Sequence, residues 1–139
     1  MSYAGDLSPR DAWAKLEAGA ILVDVRTESE WARIGIPETA SANEKRTDPL
    51  FIQWNLAGGV PNSHFIEQLK QQAPDAAGTE LVFLCRSGAR SIAAANAATE
   101  AGFVSYNVLE GFEGAPDQYG ERNVNGWKNR GLPINPGKI

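Results

Sequence analysis

Residues 80–91 read Glu80-Leu81-Val82-Phe83-Leu84-Cys85-Arg86-Ser87-Gly88-Ala89-Arg90-Ser91, and an alanine-rich stretch follows to Glu100. The apolar run 81–84 is short and uninterrupted, the pattern of a strand buried on both faces. The alanine-rich stretch favours a helix to about Glu100, with Gly102 suited to its stop. The turn between strand and helix holds the chain's single cysteine, two arginines and a glycine. A backbone that leaves a strand and enters a helix can curl successive N–H groups around one point. The helix N-terminus adds unsatisfied donors and a partial positive charge. Gly88 permits the dihedrals of a tight curl, and Arg86 and Arg90 contribute full charge. Such a cradle favours the thiolate form of Cys85 and an anionic adduct on its sulfur. A lone cysteine is ordinarily a small buried hydrophobe. Here the arginines, the glycine and the helix entry converge on it, which argues for a reactive nucleophile.

Working outward, the same alternation recurs. Ser8 is a good N-cap, with Pro9 at the first helical position and Asp11 in the first turn. Trp13 and Leu16 share a face of that helix, and Gly19 suits its end. Ile21-Leu22-Val23-Asp24-Val25 reads as a second buried strand with a carboxylate in its fourth place. Thr27 and Glu30 have capping-box spacing, which predicts a helix over 28–34. Residues 35–62 are irregular and predict a long covering loop with one helical turn. Asn62 or Ser63 can cap a helix that turns Phe65, Ile66 and Leu69 inward. Asp75 to Gly78 are expected to turn into the strand 80–84. A further strand is expected over 103–109, then a loop opened by Gly111 and Gly114, and a last turn near 125–130. Short apolar strands alternating with helices predict an α/β fold, a central parallel β-sheet flanked by helices on both faces. Ligands in such sheets bind beyond the carboxyl ends of the strands, where Cys85 stands.

Composition agrees with one ordinary domain over 1–139. The chain has 139 residues, of which 13 are Lys or Arg and 17 Asp or Glu, a net charge of −4. No basic field draws it to nucleic acid or to an acidic membrane. One cysteine excludes an intramolecular disulfide and any multi-cysteine zinc site. The apolar runs fall far short of the ~20 residues that span a bilayer. The first residues lack the basic start and apolar stretch of a secretory signal, so a soluble, cytoplasmic domain is expected. His64, the only histidine, stands at a helix start with no Cys or His nearby, and is expected to be exposed rather than to bind metal.

The segment Cys85-Arg86-Ser87-Gly88-Ala89-Arg90-Ser91, preceded by Leu81 to Leu84, resembles the active-site loop of single-domain rhodaneses, a sulfurtransferase family. Asp24-Val25-Arg26 with Glu30-Trp31 is similar to the family's strand-end signature, and Gly35-Ile36-Pro37 occupies the place of its Gly-His-Ile-Pro segment. Val108-Leu109-Glu110-Gly111 and Trp127 with Gly131-Leu132-Pro133 resemble its C-terminal signature. The matches cover roughly residues 7–134. Two departures stand out: the histidine of Gly-His-Ile-Pro is absent, and 112–126 is longer than usual, resembling a bacterial variant with a Gly-Phe-Glu-Gly segment.

The resemblance implies a rhodanese-like fold and a persulfide mechanism without metal or organic cofactor. Cys85 would take a sulfane sulfur from thiosulfate or a related small anionic donor and pass it to cyanide or a thiol. Backbone N–H groups of Arg86, Ser87, Gly88, Ala89, Arg90 and Ser91 would hold the transferred sulfur, and Arg86 is the preferred contact for the incoming anion. Arg90 either binds the donor or pairs with Asp24 or Glu30. Asp24 and Arg26, with Glu30, are expected to support the loops at the strand ends. The four tryptophans and Phe51 are expected to serve core or loop packing rather than a stacking platform, with Trp54 and Phe112 as the candidates for the pocket mouth. A persulfide carrier that serves a protein acceptor uses the same residues, and a non-catalytic interaction module is a further alternative. Cysteine phosphatases and arsenate reductases also place a thiolate in an anion cradle, but with one residue more between cysteine and arginine than the four here.

Overall fold

The computed structural model describes residues 2–73 and 78–136. The elements run β1 (Gly5–Leu7), α1 (Pro9–Glu17), β2 (Ile21–Asp24), α2 (Glu28–Ile34), β3 (Ile36–Pro37), β4 (Leu50–Phe51), α3 (Phe65–Gln72), β5 (Glu80–Leu84), α4 (Ala89–Glu100), β6 (Val104–Val108) and β7 (Ile134–Asn135). Five strands form one sheet in the order β1-β6-β5-β2-β4, every neighbouring pair parallel. β3 and β7 make a separate antiparallel pair.

The parallel sheet and its buried strands follow the expectation from the sequence. Along β5 the side chains alternate between two cores. Leu81, Phe83 and Cys85 join Val23, Val25, Phe65 and Leu69 on the side of α3 and α4, where Ala94, Ala95 and Ala98 present only methyl groups to the sheet. Val82 and Leu84 join Leu22, Ala12, Leu16, Phe112 and Trp127 on the side of α1. Both faces are therefore covered, and a strand buried on both faces has no room for polar alternation.

The starts of α1 and α2 behave as their sequences predict. The Ser8 side chain accepts from the Asp11 N–H, and Thr27 and Glu30 form a reciprocal capping box. Four short strands, β1, β3, β4 and β7, go beyond what the sequence predicts. β1 is three residues long with a polar centre, and β4 is two residues inside the irregular stretch 35–62. Each of these two is too short to show a period, and each exists because an adjacent long strand supplies its hydrogen bonds. That stretch also holds two single 3₁₀ turns, at Ala40–Ala42 and Ala57–Gly59. Neither Asn62 nor Ser63 caps α3 by side chain. His64 holds the capping position, while Asn62 accepts from the His64 N–H and ties the turn to Gln53 and Gln68. Of the turn expected over 75–78, residues 75–77 lie outside the described residues.

Candidate active site

β5 is the middle strand, and Cys85 follows directly from its carboxyl end. The residue is 1% exposed. Its Sγ accepts the Gly88 N–H at 3.1 Å and lies 3.2 Å from the Ser91 hydroxyl oxygen. α4 starts at Ala89, so the sulfur lies against a fresh helix N-terminus. Two constraints require glycine at position 88. Its φ is +108°, and a Cβ there would stand 2.3 Å from the Leu109 carbonyl oxygen.

The chain after β6 backs this loop. The Phe112 N–H donates to the Cys85 carbonyl at 2.8 Å, and the Glu113 and Gly114 N–H groups donate to the Arg86 carbonyl at 3.0 and 3.2 Å. Gly111 lets the two backbones approach, since a Cβ there would lie 2.5 Å from the Arg86 oxygen. The backing strip is held in turn by residues further on. Trp127 and Lys128 donate to the carbonyls of Gly111 and Phe112, and Glu110 accepts from the Gly126 N–H and from the Arg130 guanidinium. The long segment 112–126 thus begins as a buttress of the cysteine loop, and its far end at Gly126 and Trp127 closes back on the backing strip at Glu110 and Gly111. Sequence spacing alone does not reveal that role, because it arises from backbone hydrogen bonds.

Three guanidinium–carboxylate pairs surround the loop. Arg26 and Asp24 are fully buried and joined by a bond of 2.8 Å from Nη2 to Oδ2, with further bonds from Nε and the Arg26 backbone. Nη2 also donates to the Gly35 carbonyl, and the guanidinium lies 4.2 Å above the Phe112 ring. Arg90 grips Glu30 through two bonds of 2.7 and 3.0 Å. Of the partners open to Arg90 from the sequence, the structure selects Glu30. Burial by itself would raise the Glu30 value, but the hydrogen bonds from Arg90 and Thr27 outweigh it and leave the carboxyl below its ordinary value. The Glu30 hydrogen bonds push Arg90 up against the opposing effect of burial, and the charges of Cys85 and Asp24 push it the same way. Arg86 stands half exposed, its Nε 3.3 Å from the buried Glu113 carboxylate. Glu113 lies within Gly111-Phe112-Glu113-Gly114, the stretch that resembles a bacterial variant, at the start of the long segment 112–126.

Among the other expected positions, Phe112 departs from the pocket mouth, while Trp54 packs against the core and His64 is exposed as the sequence predicts. Phe112 is fully buried beneath Arg26 and does not line the mouth. Trp54 packs edge-on against Phe65, ring centres 5.0 Å apart, as part of the core beside α3. His64 is exposed and faces Glu67. Ser87 and Ala89 are exposed on the loop, whereas Ser91 is buried. Next to the loop lies an open groove of about 620 Å³, bounded by Thr27, Gln53, Asn55, Leu56 and Arg90. A smaller hollow of about 210 Å³ runs between Arg33, Glu30, Arg86 and Glu113.

The rhodanese-like domain family matches residues 8–115. The chain belongs to the rhodanese-like domain family. Among rhodanese-like relatives of known structure, Rv0390 from M. tuberculosis superposes with a TM-score of 0.89 at 43% identity, covering 98% of this chain and 100% of that one. An uncharacterized protein of Rickettsia rickettsii, named as a homolog of RP600, is 38% identical over 115 residues, 82% of this chain and 81% of that protein. A possible tyrosine phosphatase from Rhodopseudomonas palustris shares the fold alone, at 20% identity and a TM-score of 0.52, covering 94% of this chain and 84% of that one. Membership of the rhodanese-like family supports a sulfurtransferase or persulfide-related role in general terms. No helix among the described residues is long and apolar enough to cross a membrane.

Proposed function

We propose that this rhodanese-like protein is a thiosulfate-type sulfurtransferase with Cys85 as its nucleophile. The observation that carries the reading is the placement of Sγ: at the end of the middle strand, under the Gly88 N–H, against the first turn of α4. The Cys85 thiolate attacks the outer sulfur of thiosulfate. A new S–S bond forms, the old one breaks with its electron pair, and sulfite leaves. The enzyme then carries a persulfide whose terminal sulfur holds the negative charge. Donors aimed at that sulfur act as an oxyanion hole acts on oxygen. Cyanide or a thiolate attacks the terminal sulfur, takes it as thiocyanate or a new persulfide, and restores the Cys85 thiolate. A covalent intermediate of this kind implies ping-pong kinetics. The exposed Arg86 meets the incoming dianion, while loop amides hold the sulfur. A protein thiol as acceptor would make the same chemistry a persulfide relay. A lone thiol that must stay reduced between turnovers suits the cytoplasm.

The phosphatase reading is disfavoured by ring size. Four residues, Arg86 to Ala89, separate Cys85 from Arg90. A tight ring fits one sulfur better than a tetrahedral oxyanion, because hydrogen bonds weaken steeply away from their optimum.

Intact-mass measurement after incubation with thiosulfate, polysulfide or mercaptopyruvate tests the proposal. The expected result is a gain of one sulfur atom, discharged by cyanide and absent in Cys85→Ser, with no Cys85-dependent hydrolysis of p-nitrophenyl phosphate. Sulfur transfer by Cys85→Ser at near wild-type rate would overturn it.

A further inference from the structure

A row of hydrogen bonds leads from Cys85 through β6 to the edge strand β1. The Cys85 Sγ lies 3.2 Å from the Ser91 Oγ, and the Ser91 hydroxyl donates to the Asn107 Oδ1 through a short bond. The Asn107 Nδ2 donates to the Asp6 Oδ1 at 2.9 Å, and the Tyr3 hydroxyl donates to the same oxygen at 2.8 Å. Ser91 and Asn107 are fully buried, whereas Asp6 is exposed.

The donor and acceptor inventory fixes the direction of this row. A carboxylate only accepts, so the Asn107 amide must turn its NH₂ toward Asp6 and its oxygen toward Ser91. An amide oxygen only accepts, so the single Ser91 proton points at Asn107 and away from the sulfur. Toward Cys85, the Ser91 oxygen then presents lone pairs. That arrangement suits a thiol, which donates S–H to it, and opposes a thiolate, which has no proton to give. Freeing the Ser91 proton to turn toward the sulfur would leave two oxygens in close contact with no hydrogen between them.

We infer that Asp6 and Asn107 are positioning residues that aim the Ser91 hydroxyl away from Cys85 and thereby restrain thiolate formation, in opposition to the Gly88 N–H and the α4 N-terminus. The consequence rests on Cys85 being the reacting thiol of the proposed function. Its physical content is a switch of one hydrogen bond from the acceptor to the donor sense at the sulfur. The row is not a proton wire, because the amide of Asn107 accepts at one atom and donates at another. A purely structural role, tying β1 to β6, would have no effect on the titration of the sulfur.

Other charges act on Cys85 from several elements. Arg90 faces it from α4, with Asp24 of β2 acting on the same guanidinium. Glu30 of α2 acts through Arg90, Arg86 lies on the loop itself with Glu113 as its partner, and Arg26 neutralises Asp24. Asp6 and Tyr3 of β1 act through Asn107. Asn107→Val cuts the link to Asp6 and Tyr3 and leaves every other charge in place, so that variant isolates the Ser91 hydroxyl.

The test is the ultraviolet absorbance of the thiolate across pH in the full chain, with Cys85→Ser as the blank. Asn107→Val is expected to move the midpoint to lower pH by roughly one unit, the scale of one hydrogen bond to a charged group. Asp6→Asn, which allows the Asn107 amide to turn round, is expected to move it the same way. In a Ser91→Ala background Asn107→Val should shift nothing, and Asp6→Asn should retain only the small screened effect of losing a surface charge. An unchanged midpoint in Asn107→Val, or equal shifts with and without Ser91, overturns the inference. Should Asn107→Val fail to fold, the Asp6→Asn and Ser91→Ala double-mutant cycle decides, and zero coupling refutes the role. Because the titration needs no sulfur donor, a wild-type protein that fails to form a persulfide sinks the proposed function while leaving this result readable.

Discussion

The end of β2 and the mouth of the cysteine loop both carry guanidinium–carboxylate pairs, yet the two regions differ in what their charge can reach. At the strand end Arg26 and Asp24 are sealed, with neither side chain exposed, and the guanidinium rests on Phe112. At the mouth Arg90 retains 24% and Arg86 49% of their side-chain exposure. Through Nε and Nη2, Arg26 holds Asp24 and Gly35 in place, while Nη1 stays buried without a partner. Arg90 is committed to α2 through both of its bonds to Glu30. Arg86, bound once and at 3.3 Å, is the guanidinium left facing solvent, and the one proposed to meet the anionic donor. The lesson is that similar residues within one small site sort by burial into scaffold and contact.

The largest effect should come from breaking the sealed pair. Asp24→Asn leaves Arg26 as an uncompensated buried charge, and loss of about 3–5 kcal/mol is expected in urea unfolding. A loss near zero would show that the two regions are not different in kind.

Arg90→Ala should cost less, about 1–3 kcal/mol, because Glu30 and Arg90 are only partly buried. This pair also predicts a pH dependence. The folded Glu30 carboxyl lies below its ordinary value of 4.5, so its contribution to stability is complete above that value. The contribution is lost as the pH falls from there through the lower folded value. Glu30→Gln should therefore reduce stability at neutral pH and flatten the acid limb of the stability curve. An acid limb of unchanged steepness would remove Glu30 from the account.

Arg86→Ala should affect stability least, by about 1 kcal/mol or less. Its signature is kinetic: the KM for thiosulfate rises several-fold while kcat changes little, the pattern of lost uniform binding. A sharp fall in kcat at constant KM would place Arg86 in the transition state and erase its contrast with the loop amides.

Much of this arrangement could be read residue by residue. The run Leu81 to Leu84, the alanines after Arg90, and the capping box at Thr27 are local patterns, and each became the element it predicted. Cys85 was legible as a candidate because every feature bearing on it lies within seven residues of chain. What escaped was non-local. β1 exists because β6 offers it a ladder, with Leu7 opposite Val108. Glu113 meets Arg86 across 27 positions, and Arg90 chooses Glu30 across 60. Asn107 follows Ser105 and Tyr106 in β6, so nothing local marks it out as the partner of Ser91.

Chain order alone determined a strand, a tight glycine-bearing turn and a helix, and with them a thiol at a helix N-terminus. Dihedral preference, side-chain period and capping act within a few residues, so they are written in the local sequence. Tertiary structure decided which carboxylate neutralises which arginine, which carbonyls the segment after β6 holds, and which way the Ser91 proton points. Those choices depend on distances of about 3 Å between groups far apart in the chain, and only the packed sheet brings such groups together.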